Sequence, residues 1–233
     1  MLPQLDRLKE SALDLLFPQQ CMGCGRWGKF FCSSCLQTLP RIAPPLCPKC
    51  GRPQSAGTLC SSCFDWQAHI DGIRSPFRFD GAIRKAIHEL KYQNLRAIAV
   101  PQAALLDEYL ASNPIPADVL VPIPLHPKRL RERGYNQSEL LARELSKLTR
   151  LPVEPGYLVR QRDTPPQART TSVEERKQNI ARAFLCPDNM VEGKRILLID
   201  DVSTSGATLD AAAEALKSRG FGPVWGLVVA REI

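Results

Sequence analysis

The chain has 233 residues, 44% of them hydrophobic, and a net charge of +7 from 31 Lys and Arg against 24 Asp and Glu. That length and apolar content exclude wholesale disorder and fit one ordinary domain plus a small appendage. The charge is uneven: residues 121–185 hold 13 Lys and Arg against seven Asp and Glu, which favours a polyanion site such as one for pyrophosphate or nucleic acid over a merely solvated face.

Residues 1–18 carry Leu2, Leu5, Leu8, Ala12, Leu15 and Leu16 at helical spacing, predicting a short amphipathic helix that packs on the neighbouring cysteine-rich module. Asp6, Glu10 and Asp14 interrupt it, which the apolar region of a secretory signal would not tolerate. No later segment approaches the length of a membrane span. The expectation is a cytoplasmic protein without membrane insertion.

Residues 19–66 contain four CxxC knuckles, Cys21/Cys24, Cys32/Cys35, Cys47/Cys50 and Cys60/Cys63. Each knuckle turns two thiolates toward one tetrahedral ion and two knuckles complete a shell, so eight cysteines predict two structural zinc ions. Sequential pairing gives two tandem ribbons, interleaved pairing a cross-braced module. The short gaps of seven and nine residues within the sequential pairs favour the tandem form without deciding it. Disulfides fit poorly with a reducing compartment, and the even separation of the knuckles fits poorly with an iron–sulfur cluster. Closed thiolate shells offer no position for chemistry, and so small a segment needs metal simply to hold a core. Arg26, Trp27, Lys29, Lys49 and Arg52 could add a binding face.

Residues 67–233 read as a second domain of alternating strands and helices, which implies a largely parallel α/β sheet. Residues 73–79 have strand character. Residues 81–91 and 95–110 are helical, and Lys91 at the end of the first is read chiefly as a favourable C-terminal charge. Residues 119–121 form a short strand ending in Pro122-Ile123-Pro124, followed by His126 and the basic run Lys128, Arg129, Arg131 and Arg133. A lone histidine in such a turn is more often a hydrogen-bonded surface residue than a general base. Residues 137–149 are amphipathic, and the polar stretch from 161 to 172, with its Pro165-Pro166 pair, predicts a loop. Cys186 reads as a packed thiol. A last strand spans 227–230.

The stretch RILLIDDVSTSGATLDAAAEALKSRG, residues 195–220, concentrates the chemistry. An apolar strand at 196–199 ends in Asp200 and Asp201. Ser203, Thr204, Ser205, Gly206, Ala207 and Thr208 then lead into an alanine-rich helix. In open α/β sheets, ligands bind at the carboxyl ends of strands. Backbone amides at a helix start suit a phosphate, and paired carboxylates suit hydroxyl groups. A phosphorylated sugar has both. The loop is not a Walker A loop, since no Gly-Lys-Ser/Thr follows, and GxGxxG is absent.

The run LLIDDVSTSGAT resembles the phosphoribosyl pyrophosphate (PRPP) signature of type I phosphoribosyltransferases. With VPIPLHPKRLRERGYNQSELLARELSK, QART…ERKQNIARAF and the four knuckles, nearly the whole chain resembles the ComF/GntX family, in which a double zinc ribbon precedes a phosphoribosyltransferase-like domain. The resemblance implies that Asp200 and Asp201 engage the ribose hydroxyls and that residues 203–208 take the 5′-phosphate. Pro124 and the basic residues after it would face pyrophosphate. The 161–179 segment would close over the ligand with Arg169, Arg176 and Lys177. Ser205 stands where that signature usually has Thr, which keeps a hydroxyl. The resemblance further implies magnesium bound with PRPP and a link to DNA uptake in natural competence, with a competence helicase or another DNA-processing protein as partner.

Two functions compete. In the first, a magnesium-dependent enzyme transfers phosphoribose to an unknown acceptor. In the second, a non-catalytic PRPP sensor handles single-stranded DNA. A scarcity of aromatic residues for base stacking disfavours the second, although backbone-directed binding needs only charge.

Overall fold

A computed structural model describes residues 19–162, 183–187 and 193–233. The helix expected within 1–18 and the segment bearing Arg169, Arg176 and Lys177 lie outside the described residues.

Two cysteine units come first and are built alike. Each opens on a knuckle that turns at a left-handed glycine, Gly25 at φ +75° and Gly51 at φ +73°. The glycine amide donates to the carbonyl of Cys21 or Cys47, 2.9 Å in both units. Each second knuckle begins a short helix, α1 (Ser33–Gln37) and α2 (Ser61–Phe64), after a cysteine at φ −74° or −73° and ψ 161°. The repeat settles the pairing. Cys21, Cys24, Cys32 and Cys35 gather in one cluster and Cys47, Cys50, Cys60 and Cys63 in another, so the tandem arrangement holds.

The remaining chain builds a parallel sheet from β1 (Gly72–Arg74), β2 (Phe77–Arg78) and β3 (Val119–Pro122), then β6 (Ile196–Ser203) and β7 (Val224–Arg231). Its order is β1-β7-β6-β3, with β2 also beside β7. Between β3 and β6 the chain makes a two-residue antiparallel pair, β4 (Val159–Arg160) with β5 (Phe184–Leu185). The expected strand at 73–79 is broken in two at Ser75-Pro76, where Pro76 has no amide for the ladder and the Ser75 hydroxyl donates instead to the carbonyls of Phe77 and Val229. Strands β6 and β7 outrun their apolar cores because they pair with each other to the end, Ser203 opposite Arg231.

Alternation along the strands creates two cores. Leu120, Leu197, Ile199, Leu227 and Val229 face the helices α3 (Gly81–Tyr92), α4 (Ala99–Ser112) and α6 (Gln137–Thr149). Val119, Val121, Ile196, Leu198 and Val228 pack with Phe184 and with Leu209, Ala212 and Leu216 of the last helix, α7 (Ala207–Lys217). Helix α6 matches its expected bounds, and α4 is preceded by a 3-10 turn at Arg96–Ile98. The basic run expected as a turn is instead a short helix, α5 (Pro127–Arg133), with Pro at its start and Gly134 at φ 80° ending it. Met22, Phe30, Phe31 and Leu39 of the first cysteine unit join the core of α3 and β2. The first cysteine unit is therefore packed against the sheet domain. No helix among the described residues is long and apolar enough to cross a membrane.

Candidate functional site

Strand β6 carries Asp200 and Asp201 to the carboxyl edge of the sheet. Asp201 is buried, 2% exposed, and its Oδ1 lies 2.7 Å from Nζ of Lys91 in the last turn of α3. Asp200 is half-buried; its Oδ1 accepts from the Ser138 hydroxyl at 2.7 Å and from the Asp201 amide at 2.9 Å. Burial and the adjoining Asp201 charge push Asp200 up to about 6, against the pull of Lys91 and Ser138. Burial opposes the Lys91 charge, but the attraction of Asp201 outweighs it and holds Lys91 above its ordinary value. Ser138 is aimed by its neighbour Asn136. That residue caps α6 through the Ser138 amide and donates its Nδ2 to the Ile123 carbonyl at 3.0 Å, tying α6 to the turn that precedes Pro124.

The loop after the acidic pair turns at Gly206, φ 86°, the cap of α7. A side chain there would meet Ile73 Cδ1 at 2.8 Å and Trp66 Cη2 at 3.1 Å, so both conformation and space require glycine. The Ser205 hydroxyl accepts from the Ala207 amide at 3.4 Å. At the same edge three buried polar atoms have no partner among the described residues, Asp201 Oδ2, Ser203 Oγ and Arg231 Nε. Buried polar atoms are ordinarily paired. Polar atoms without a partner beside a helix start suit a ligand that bears hydroxyls and a phosphate.

The structure divides the basic quartet. Arg129 and Arg133, one helical turn apart on α5, line a cleft of about 600 Å³ with Lys91 and Tyr92, while Lys128 and Arg131 are exposed to solvent. Arg133 donates Nη1 to Gln137 Oε1, and its guanidinium lies 5.7 Å from the Tyr92 ring centre. Lys91 belongs to both the cleft and the acidic pair, and so joins the two halves of the site. His126 caps α5, its Nδ1 accepting from the Lys128 amide at 3.4 Å, and Cys186 is a packed thiol, 1% exposed. Sequence reasoning ranked Lys91 low and missed Ser138. Neither carries a local signal, because a helix-terminal lysine and a serine two residues past a cap look ordinary until the sheet brings Asp200 and Asp201 to them.

The cysteine clusters fit zinc. A tetrahedron with Zn–S bonds of about 2.3 Å has edges of roughly 3.8 Å, and Cys24–Cys32 and Cys50–Cys60 Sγ separations are both 3.7 Å. Burial opposes ionisation of Cys21 and Cys47. The amides of Cys24, Cys32 and Gly23 for one, and of Cys50, Cys60 and Lys49 for the other, outweigh it and bring both thiols to about 6. Four thiolates per ion close the shell, so the metal's role is to hold structure.

The double zinc ribbon domain family matches residues 12–64, and the phosphoribosyl transferase domain family matches residues 134–229. The chain is 32% identical over 196 residues to competence protein ComFC of Bacillus subtilis (strain 168), covering 81% of this chain and 78% of that one. It is 30% identical over 222 residues to the DNA utilization protein YhgH of Escherichia coli (strain K12), covering 90% and 96%. Among solved structures, glutamine PRPP amidotransferase from B. subtilis, complexed with ADP and GMP, overlaps 55% of this chain at 22% identity and a TM-score of 0.37. The overlap covers 26% of that longer chain, too slight a likeness to carry an argument.

Proposed function

The chain belongs to the ComF family, in which a double zinc ribbon is joined to a phosphoribosyltransferase domain, and on that premise we propose that it binds PRPP at the β6 edge and transfers phosphoribose to an acceptor in the service of DNA uptake. The observation that carries this reading is the Asp200–Asp201 pair at a strand end, half-buried and buried, followed by the Gly206-capped start of α7.

In this reading Asp200 and Asp201 accept hydrogen bonds from the ribose 2′- and 3′-hydroxyls. Residues 203–208 surround the 5′-phosphate. Arg129, Arg133 and Lys91 meet the pyrophosphate, and Arg169, Arg176 and Lys177 close over it. The nitrogen of the acceptor attacks C1, the bond from C1 to the pyrophosphate oxygen breaks, and the acceptor's proton passes to solvent. Positive side chains fixed beside the leaving group stabilise the charge that grows on it. Magnesium brought in with PRPP would supply further positive charge there.

Isothermal titration tests the site. Wild-type protein should bind PRPP, and a variant carrying D200N and D201N should lose at least about 100-fold in affinity, since two charge-assisted contacts are weakened, while keeping two zinc ions. Undiminished affinity in that variant would overturn the assignment. A second reading is favoured by the exposed positions of Lys128 and Arg131: the protein holds PRPP as a signal and handles single-stranded DNA, with a DNA-processing partner. Release of pyrophosphate on adding candidate acceptors supports the enzyme; PRPP bound and never consumed supports the sensor.

A further inference from the structure

We propose that Arg231 is a positioning residue that couples the zinc of the second cysteine unit to the 203–208 loop, so that ligand on the loop retains that metal and loss of that metal loosens the loop. The proposal rests on the sugar-phosphate reading of the loop and adds to it a dependence on one of the two metal centres.

Arg231 ends β7, opposite Ser203, and is 1% exposed. Its Nη1 donates to the carbonyl of Cys50, in the knuckle, and its Nη2 donates to the carbonyl of Thr204, in the loop, at 3.4 Å. One rigid guanidinium therefore spans metal unit and phosphate loop. Both acceptors are neutral, and Arg231 forms no ion pair with a carboxylate among the described residues. A buried cation is costly unless its charge is met. Burial works against the Arg231 charge and holds it below its ordinary value, with Arg52 adding to that, while Cys50, Cys63 and Cys60 favour the charge. Four thiolates around a divalent ion leave two negative charges, so a loaded second unit would offset part of that cost.

A second contact runs in parallel. Trp66 packs on the second cysteine cluster and occupies the space that a side chain at Gly206 would need. Ile73 fills the rest of that space, and its amide donates to the Lys49 carbonyl at 2.7 Å. At Gly51 an added Cβ would lie 2.5 Å from the Ile73 carbonyl oxygen. Knuckle, β1 and loop are packed without slack, so a shift in one displaces the others. The first unit lies elsewhere. Its Gly23 side faces Ala82 of α3, and its Cys24 is exposed, whereas all four cysteines of the second unit are buried.

The test uses the full chain loaded with two zinc ions. Zinc transfer to a chromogenic chelator is followed with and without PRPP, and PRPP binding is measured by titration on the same sample. Two phases are expected. The fast one empties the exposed first unit and ignores PRPP, and the slow one is retarded about tenfold by PRPP, because ligand on the loop disfavours the local opening that releases this metal. Arg231→Lys keeps the charge but cannot reach both carbonyls; it should bind PRPP about tenfold more weakly and lose the protection. PRPP bound with both phases unchanged, or both slowed equally, would overturn the coupling while leaving the sugar-phosphate site in place. Full protection retained by Arg231→Lys would remove Arg231 from its role. No PRPP binding by the wild type would overturn the site reading, and the coupling with it.

Discussion

At the scale of single residues, Asp200 and its neighbours set the pH behaviour of the site. Asp200 lies at about 6 because burial and Asp201 disfavour its charge. For a carboxyl raised in the folded state, the native protein holds the proton more tightly than the unfolded chain does. Its contribution to stability is therefore full below the ordinary carboxylate range and is lost as pH rises through about 6. Ligand binding runs the other way, since ribose hydroxyls need an ionised acceptor. PRPP affinity should weaken several-fold as pH falls through that value. Ser138→Ala removes a hydrogen bond that favours the carboxylate, so it should move the midpoint of the affinity profile to higher pH. Titrating wild type and variant side by side separates this from the ionisation of the phosphate itself, and coincident midpoints would remove Ser138 from the site.

Among the elements, α7 and its cap bear most directly on function. Gly206→Ala imposes a left-handed alanine, which costs about 1–2 kcal/mol, and drives its Cβ against Ile73 and Trp66. The loss should appear as a lower denaturation midpoint together with weaker PRPP binding; a stable protein with unaltered affinity would show that the loop does not form the phosphate site. Helix α6 was legible to the residue because Leu141, Ala142 and Leu145 keep a clean buried stripe and Asn136 caps it. Helix α5 was not. Its seven residues bury nothing, so there is no apolar period to read. Its consequence is functional, because helical spacing turns Arg129 and Arg133 to the cleft and leaves Lys128 and Arg131 outside it.

For the whole molecule, the first cysteine unit and one face of the α/β sheet share a core. Met22, Phe30, Phe31 and Leu39 pack with Phe77, Ile83 and Ile87, and main-chain bonds from Ile42 to Pro76 and from Arg78 to Pro40, both 2.8 Å, stitch the junction. Burial of such side chains contributes about 1.5–3 kcal/mol each. Stripping both zinc ions should therefore lower the melting temperature of the whole chain by roughly 10 °C in one cooperative transition. Calorimetry that leaves an unshifted transition for residues 67–233 would mean the two parts are energetically independent.

Local chemistry determined the metal units, the parallel sheet and the acidic strand end, because knuckle spacing, apolar runs and a Ser/Thr/Gly helix start are each written within a few consecutive residues. Lys91 on Asp201, Ser138 on Asp200 and Arg231 on Cys50 join positions 62 to 181 residues apart. Such pairs carry no periodicity along the chain. Only the closing of two helices and the second cysteine unit onto one sheet edge decides them, because that edge is where chain segments far apart in sequence meet.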